Sequence, residues 1–74
     1  MSEKDLFVGM IFKGEADPSI VSVCTKIEND RFYYHRKYYN GELLSFHELS
    51  LKQAVQRFQY YGWQELSSLE KELV

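Results

Sequence analysis

Residues 27–41 read Ile27-Glu28-Asn29-Asp30-Arg31-Phe32-Tyr33-Tyr34-His35-Arg36-Lys37-Tyr38-Tyr39-Asn40-Gly41, a run of rings and cations held between two turn signals. Asn29 and Asp30 both tolerate positive φ, which a two-residue hairpin turn requires at successive positions. On that reading Glu28 faces Arg31, Ile27 faces Phe32, Thr25 meets Tyr34 and Cys24 meets His35. Side chains alternate across a strand, so Phe32 and Tyr34 turn toward a core while Tyr33, His35 and Lys37 turn toward solvent.

Upstream of this hairpin, Ile20 to Ile27 is a strand with Val21, Val23, Thr25 and Ile27 on one face and Ser22, Cys24 and Lys26 on the other. Leu6 to Lys13 is apolar and β-prone, and Gly9 inside it marks a bulge or bend. Downstream, a three-residue loop, Tyr39-Asn40-Gly41 with Gly41 left-handed, places Leu44 and Phe46 beside Tyr34 and turns Ser45 and His47 outward. A two-residue Asn40-Gly41 turn would reverse that choice and expel Leu44 and Phe46. The first register is preferred because it buries more apolar area, at about 25 cal/mol per Å².

Ser50 opens a different period. With Gln53 it forms a capping-box pattern, and Leu51, Ala54, Val55 and Phe58 recur at the spacing of an amphipathic helix over about 50–61. Gly62 terminates it, and Trp63 can fold back on its last turn. Trp63, Leu66, Leu69 and Leu73 then line one face of a short helical tail, about 63–73. The expected architecture is one α+β domain over 1–74: a small antiparallel sheet of about four strands (about 6–48), an amphipathic helix and a short C-terminal helix.

Length and composition bound what this domain can be. A chain of 74 residues hides only about 60% of its unfolded surface on folding, so its core is small. Sixteen per cent of the residues are aromatic, which points to dense ring packing or a partner as the compensation. Cys24 is the single cysteine, so no disulfide can form within the chain. Met1 to Leu6 is polar and acidic, unlike a secretory leader, and a reducing cytoplasm is the expected location. No apolar run approaches the ~20 residues needed to cross a bilayer.

The pattern Val8-Gly9-x-x-Phe12, a Val-x-Val strand at Val21 to Val23, the aromatic strand, Asn40-Gly41, and a Ser50-capped helix with Phe58 resembles short phage- or plasmid-encoded proteins with SH3-like sheets. The resemblance covers roughly Leu6 to Phe58. It implies a half barrel, and a class of protein that acts by binding a larger host or viral protein and altering it. It carries no site residues.

Function therefore rests on surfaces. Lys26, Arg31, Tyr33, His35, Lys37 and Tyr39 are expected together on the outer face of the sheet, where rings beside cations suit an acidic protein surface or single-stranded nucleic acid. A formal net charge of −2 favours protein, because general phosphate binding needs a basic excess. The alternative arrangement has the helix covering this face, with Tyr33 and Tyr39 in the core. Trp63, Leu66 and Leu69 form a second interaction surface, for a groove on a partner or a second copy of the chain, or else belong to the domain's own core. Cys24, His35 and His47 are the one combination with metal-ligand chemistry, but they lack a fourth ligand and the close spacing of zinc sites. Without an oxyanion hole or phosphate-cradling loop, the expectation is a protein that is not an enzyme, has no cofactor and binds a larger protein.

Overall fold

Asn29 and Asp30 adopt φ of 52° and 61°, the two successive left-handed residues anticipated for the hairpin. The computed structural model describes residues 2–14 and 19–66. After a 3-10 turn at Glu3–Asp5 they form strands β1 (Ile11–Lys13), β2 (Ile20–Glu28), β3 (Arg31–Tyr38) and β4 (Leu43–Ser50), helix α1 (Leu51–Tyr60) and strand β5 (Gln64–Glu65). Every neighbouring pair is antiparallel, in the order β4-β3-β2-β1-β5. The α+β class is as expected, with five strands instead of about four. The last strand returns beside the first, the connection a sheet needs if it is to bend toward a half barrel.

Two strands depart from the sequence reading by one residue each. Near the turn, Glu28 pairs with Arg31, Ile27 with Phe32 and Lys26 with Tyr33, but Thr25 is then skipped, so Cys24 pairs with Tyr34 and Val23 with His35. The expected pairs Thr25 with Tyr34 and Cys24 with His35 do not form. A bulge of this kind adds one unpaired residue and reverses the faces beyond it. Its effect is to bring Cys24 onto the side of Phe32 and Tyr34, where it is fully buried, and to move Val21 and Val23 to the other face.

The second correction concerns β4. The three-residue loop is present: the Gly41 N–H donates to the Tyr38 carbonyl, the Tyr38 N–H donates to the Glu42 carbonyl, and Gly41 has φ of 93°. Lys37 pairs with Leu43, yet Arg36 pairs with Ser45, so Leu44 is a second extra residue. The bulge returns the remainder of β4 to the alternative register, with Tyr34 opposite His47 and His35 opposite Phe46. Leu44 and Phe46 are therefore not core residues; both are exposed, Phe46 at 73%.

The first strand is also shorter than Leu6 to Lys13, because the chain turns at Val8-Gly9, where Gly9 takes φ of 93°. The helical tail is corrected at its start. Gln64 and Glu65 are extended and pair with Lys13 and Phe12, while Leu69 and Leu73 lie outside the described residues.

Phe12 centres the core. Its ring lies 5.8 Å from Phe32, 5.5 Å from Tyr34, 5.3 Å from Phe58 and 4.7 Å from Trp63. Leu6, Met10, Cys24 and Ala54 complete this cluster, with Leu51 and Val55 packed against it, while Val21 and Leu66 are buried outside it. Helix α1 starts where expected. The Gln53 N–H donates to the Ser50 hydroxyl at 3.1 Å and the Ser50 N–H donates to the Gln53 side chain at 3.1 Å. The Leu51 N–H donates to the Asp30 carbonyl, which ties the start of the helix to the hairpin turn. Gly62, at φ of 81°, reverses the chain so that the Trp63 N–H reaches the Arg57 carbonyl and the indole meets Phe58.

Candidate functional site

Helix α1 packs on Phe32 and Tyr34, so the opposite face of the sheet is not covered by it. That face is built in three cross-strand rows. Lys26, Tyr33 and Glu48 form the first, Val23, His35 and Phe46 the second, and Val21, Lys37 and Leu43 the third. Ile11 extends the second row beyond Val23. Rings and aliphatic side chains thus form a band across the middle and one end of the sheet, with the charged groups of the first row at the other end.

The cations are more compensated than their clustering in the sequence suggests. Lys26 Nζ lies 2.7 Å from Glu28, and Arg31 is 2.6 Å from Glu48. These pairs are solvated and contribute little stability, but they cancel charge that a phosphate backbone would need. Contact with Glu28 raises the Lys26 pKa, and its ammonium also sits 5.5 Å from the Tyr33 ring centre. Lys37 makes no ion pair among the described residues, and with burial as the larger cause it holds the His35 pKa below its usual value.

His35 stands edge-on to Phe46, with ring centres 5.9 Å apart. Phe46 projects from β4, an edge strand, and Leu43 beside it is half exposed. Neither belongs to the set of candidates that the sequence yields. The signal that would have found them is the alternative β4 register, which expels Phe46; an eight-residue strand can take that register and keep the three-residue loop only by bulging.

Of the residues singled out from the sequence, Lys26, Arg31, Tyr33, His35 and Lys37 share this face. Tyr39 does not belong to β3; it is half buried in the following turn, and its N–H donates to the Ser19 carbonyl. Trp63 is on the opposite side, within the ring cluster. Leu66 is buried outside that cluster, its N–H donating to the Ile11 carbonyl, and Leu69 is outside the described residues.

Cys24, His35 and His47 do not converge. Cys24 is buried in the core, His35 is on the outer face, and His47 stacks on Tyr34 at 5.1 Å. Among the described residues no group of three potential ligands could hold a metal ion. Burial raises the Cys24 pKa, which keeps the sulfur a thiol and a poor nucleophile. No helix among the described residues is long and apolar enough to cross a membrane. No protein-family model matches the chain, and no curated protein or solved structure matches it either.

Proposed function

We propose that this chain is a small, non-enzymatic interaction module that docks on a larger protein through the open face of its sheet and modulates that partner. The observation that carries the reading is Phe46: a phenylalanine 73% exposed, set beside His35 and Leu43 on a face where Lys26 and Arg31 are already paired with glutamates. A large exposed ring on an edge strand, beside an apolar band with charged groups at one end, has elements of a protein-binding surface. The SH3-like resemblance adds the idea of a phage or mobile-element product that inhibits or redirects a host protein.

Burying most of a phenylalanine ring is worth about 2–3 kcal/mol, so Phe46→Ser should weaken partner binding on the order of 30- to 100-fold. The test uses the chain as bait in lysate of its native host, identifies the co-eluting protein, and repeats the binding with purified components. Phe46→Ser and Tyr33→Ala should abolish retention, while Lys52→Ala on the helix surface should not. Undiminished binding by both face variants would overturn the proposal.

The alternative is a binder of single-stranded nucleic acid, with bases stacked on Tyr33 and Phe46. It would show as retention of random oligonucleotides that falls steeply with salt.

A further inference from the structure

Strand β4 is the outermost strand of the sheet, and its far side pairs with no other strand among the described residues. None of its eight residues is buried. Three large apolar side chains stand exposed on it, Leu43 at 52%, Leu44 at 41% and Phe46 at 73%. Edges of this kind are ordinarily blunted by lysine, proline or a covering element. Leu43–Ser50 contains no lysine and no proline, and its one acidic group, the Glu48 carboxylate, is held by Arg31 of β3. The bulge at Leu44 is confined to the loop end and leaves Ser45 to Ser50 in regular register with β3.

The direction of the free main chain follows from one hydrogen bond. The Leu51 N–H donates to the Asp30 carbonyl, and the next pair along the ladder is Ser50 with Arg31. Hydrogen-bonded and non-hydrogen-bonded pairs alternate in an antiparallel ladder, so Leu49, His47 and Ser45 bond inward to β3. Phe46 and Glu48 therefore turn their N–H and C=O groups toward the open edge.

We infer that a second copy of this chain occupies that edge, its β4 antiparallel to the first across a two-fold axis at Phe46. A strand edge is self-complementary under such an axis. In this register the Phe46 N–H donates to the Phe46 carbonyl of the second copy and its carbonyl accepts the reciprocal bond. The two rings stand side by side on the open face, and Ser45 faces His47. Charge selects this register from its neighbours, because like charges placed directly opposite repel. An axis at Glu48 would set two carboxylates against each other, one at Ser45 would oppose Glu48 to Glu42, and one at His47 would set each ring against a carboxylate. The axis at Phe46 keeps the two Glu48 groups about 13 Å apart along the strands. Two such edges run together for about 25 Å, a contact at the low end of specific interfaces, under about 1,200 Å². The dimer is accordingly reversible, with a dissociation constant of about 10–100 µM. Pairing at an edge covers neither face of the sheet, so Tyr33 and Phe46 remain presented and the inference stands independently of the function proposed above.

The experiment is sedimentation velocity of the full chain alone from about 1 to 500 µM, with amide hydrogen exchange and isotope-filtered NMR at both ends of the range. The expected result is a monomer that becomes a dimer, with the Phe46 and Glu48 amides gaining protection as concentration rises and an intermolecular contact between the Ser45 and His47 Hα atoms. Phe46→Ala should weaken the dimer about tenfold by removing the ring pair. Phe46→Pro should weaken it about 100-fold or more, because it also deletes the outward N–H while leaving the bonds to β3 intact. Tyr33→Ala should leave the dimer unchanged. The wild-type exchange map stands even if the proline variant fails to fold. A chain still monomeric at the highest concentration, Phe46 protection independent of concentration, which would assign the edge to the chain's own segment, or a dimer that Phe46→Pro retains would overturn the inference.

Discussion

Replacing Trp63 with alanine separates two roles that a tryptophan near a chain end can have. The indole lies 4.7 Å from Phe12, 5.4 Å from Tyr34 and 5.5 Å from Phe58 by ring centres, so its removal takes a partner from three other rings at once. Truncating a fully buried aromatic costs about 3–5 kcal/mol, and because Trp63 is only half buried the expected loss is about 2–3 kcal/mol. At ~0.05–0.15 kcal/mol per residue, a domain of 74 residues has about 4–11 kcal/mol of total stability. The substitution should therefore remove about a fifth to three quarters of it and lower Tm by about 10–20 °C. Trp63 is the single tryptophan, so the assay is urea and thermal unfolding followed by far-UV circular dichroism. Gly14→Ala supplies an independent arm, because a Cβ there would meet the indole Cδ1 at 3.3 Å and should cost about 1 kcal/mol through crowding. A change under about 0.5 kcal/mol for Trp63→Ala, with partner binding lost, would refute the core assignment and make Trp63 an anchor held out for another molecule.

Other outcomes follow from the turn, the histidine and the thiol. Asp30→Gly should stabilise the fold by about 0.5–1 kcal/mol, measured as a raised urea midpoint, because Asp30 holds φ of 61° in a turn that favours glycine at its second position. Burial, reinforced by Lys37, lowers the His35 pKa from 6.5. The unfolded chain then binds the proton more tightly, so the stability tied to His35 is full above that value and is lost as pH falls below it. His35→Gln should flatten this part of the stability–pH curve, and an unchanged acid slope would exclude His35 as its source. Cys24 is buried with its pKa raised, so a thiol reagent should modify it only at the rate of opening or unfolding; immediate stoichiometric reaction in native buffer would contradict its place in the core.

The parts of the fold legible in the sequence are those decided locally. Asn29-Asp30 fixes its hairpin through backbone preference, Ser50 and Gln53 announce the helix through their own hydrogen bonds, and Gly62 with Trp63 marks its reversal. What was not legible depends on packing across the sheet. Nothing in Cys24-Thr25-Lys26 signals a bulge; Thr25 is skipped because Cys24 gains burial beside Leu6 and Met10, far away in sequence. The Gln64 and Glu65 strand exists because β1 offers an unpaired edge, whereas the apolar spacing around it suits a helix equally well. At the candidate face, the sequence identified Tyr33, His35 and Lys37 from the pleat of one strand. Phe46 required the register of a second, which Leu44 shifts by one position.

Thr25 and Leu44 give the molecule an unusual tolerance. Loss of one residue inside a strand normally turns every side chain beyond it inside out, yet excising either of these two would leave each cross-strand pair with its present partner, Cys24 with Tyr34 and Ser45 with Arg36 included. Shortened chains lacking Thr25 or Leu44 should fold with native-like spectra, whereas one lacking His35 should not. Length variation in this sheet is thus absorbed at two joints, and a genuine relative one residue shorter would be expected to carry its gap at one of them.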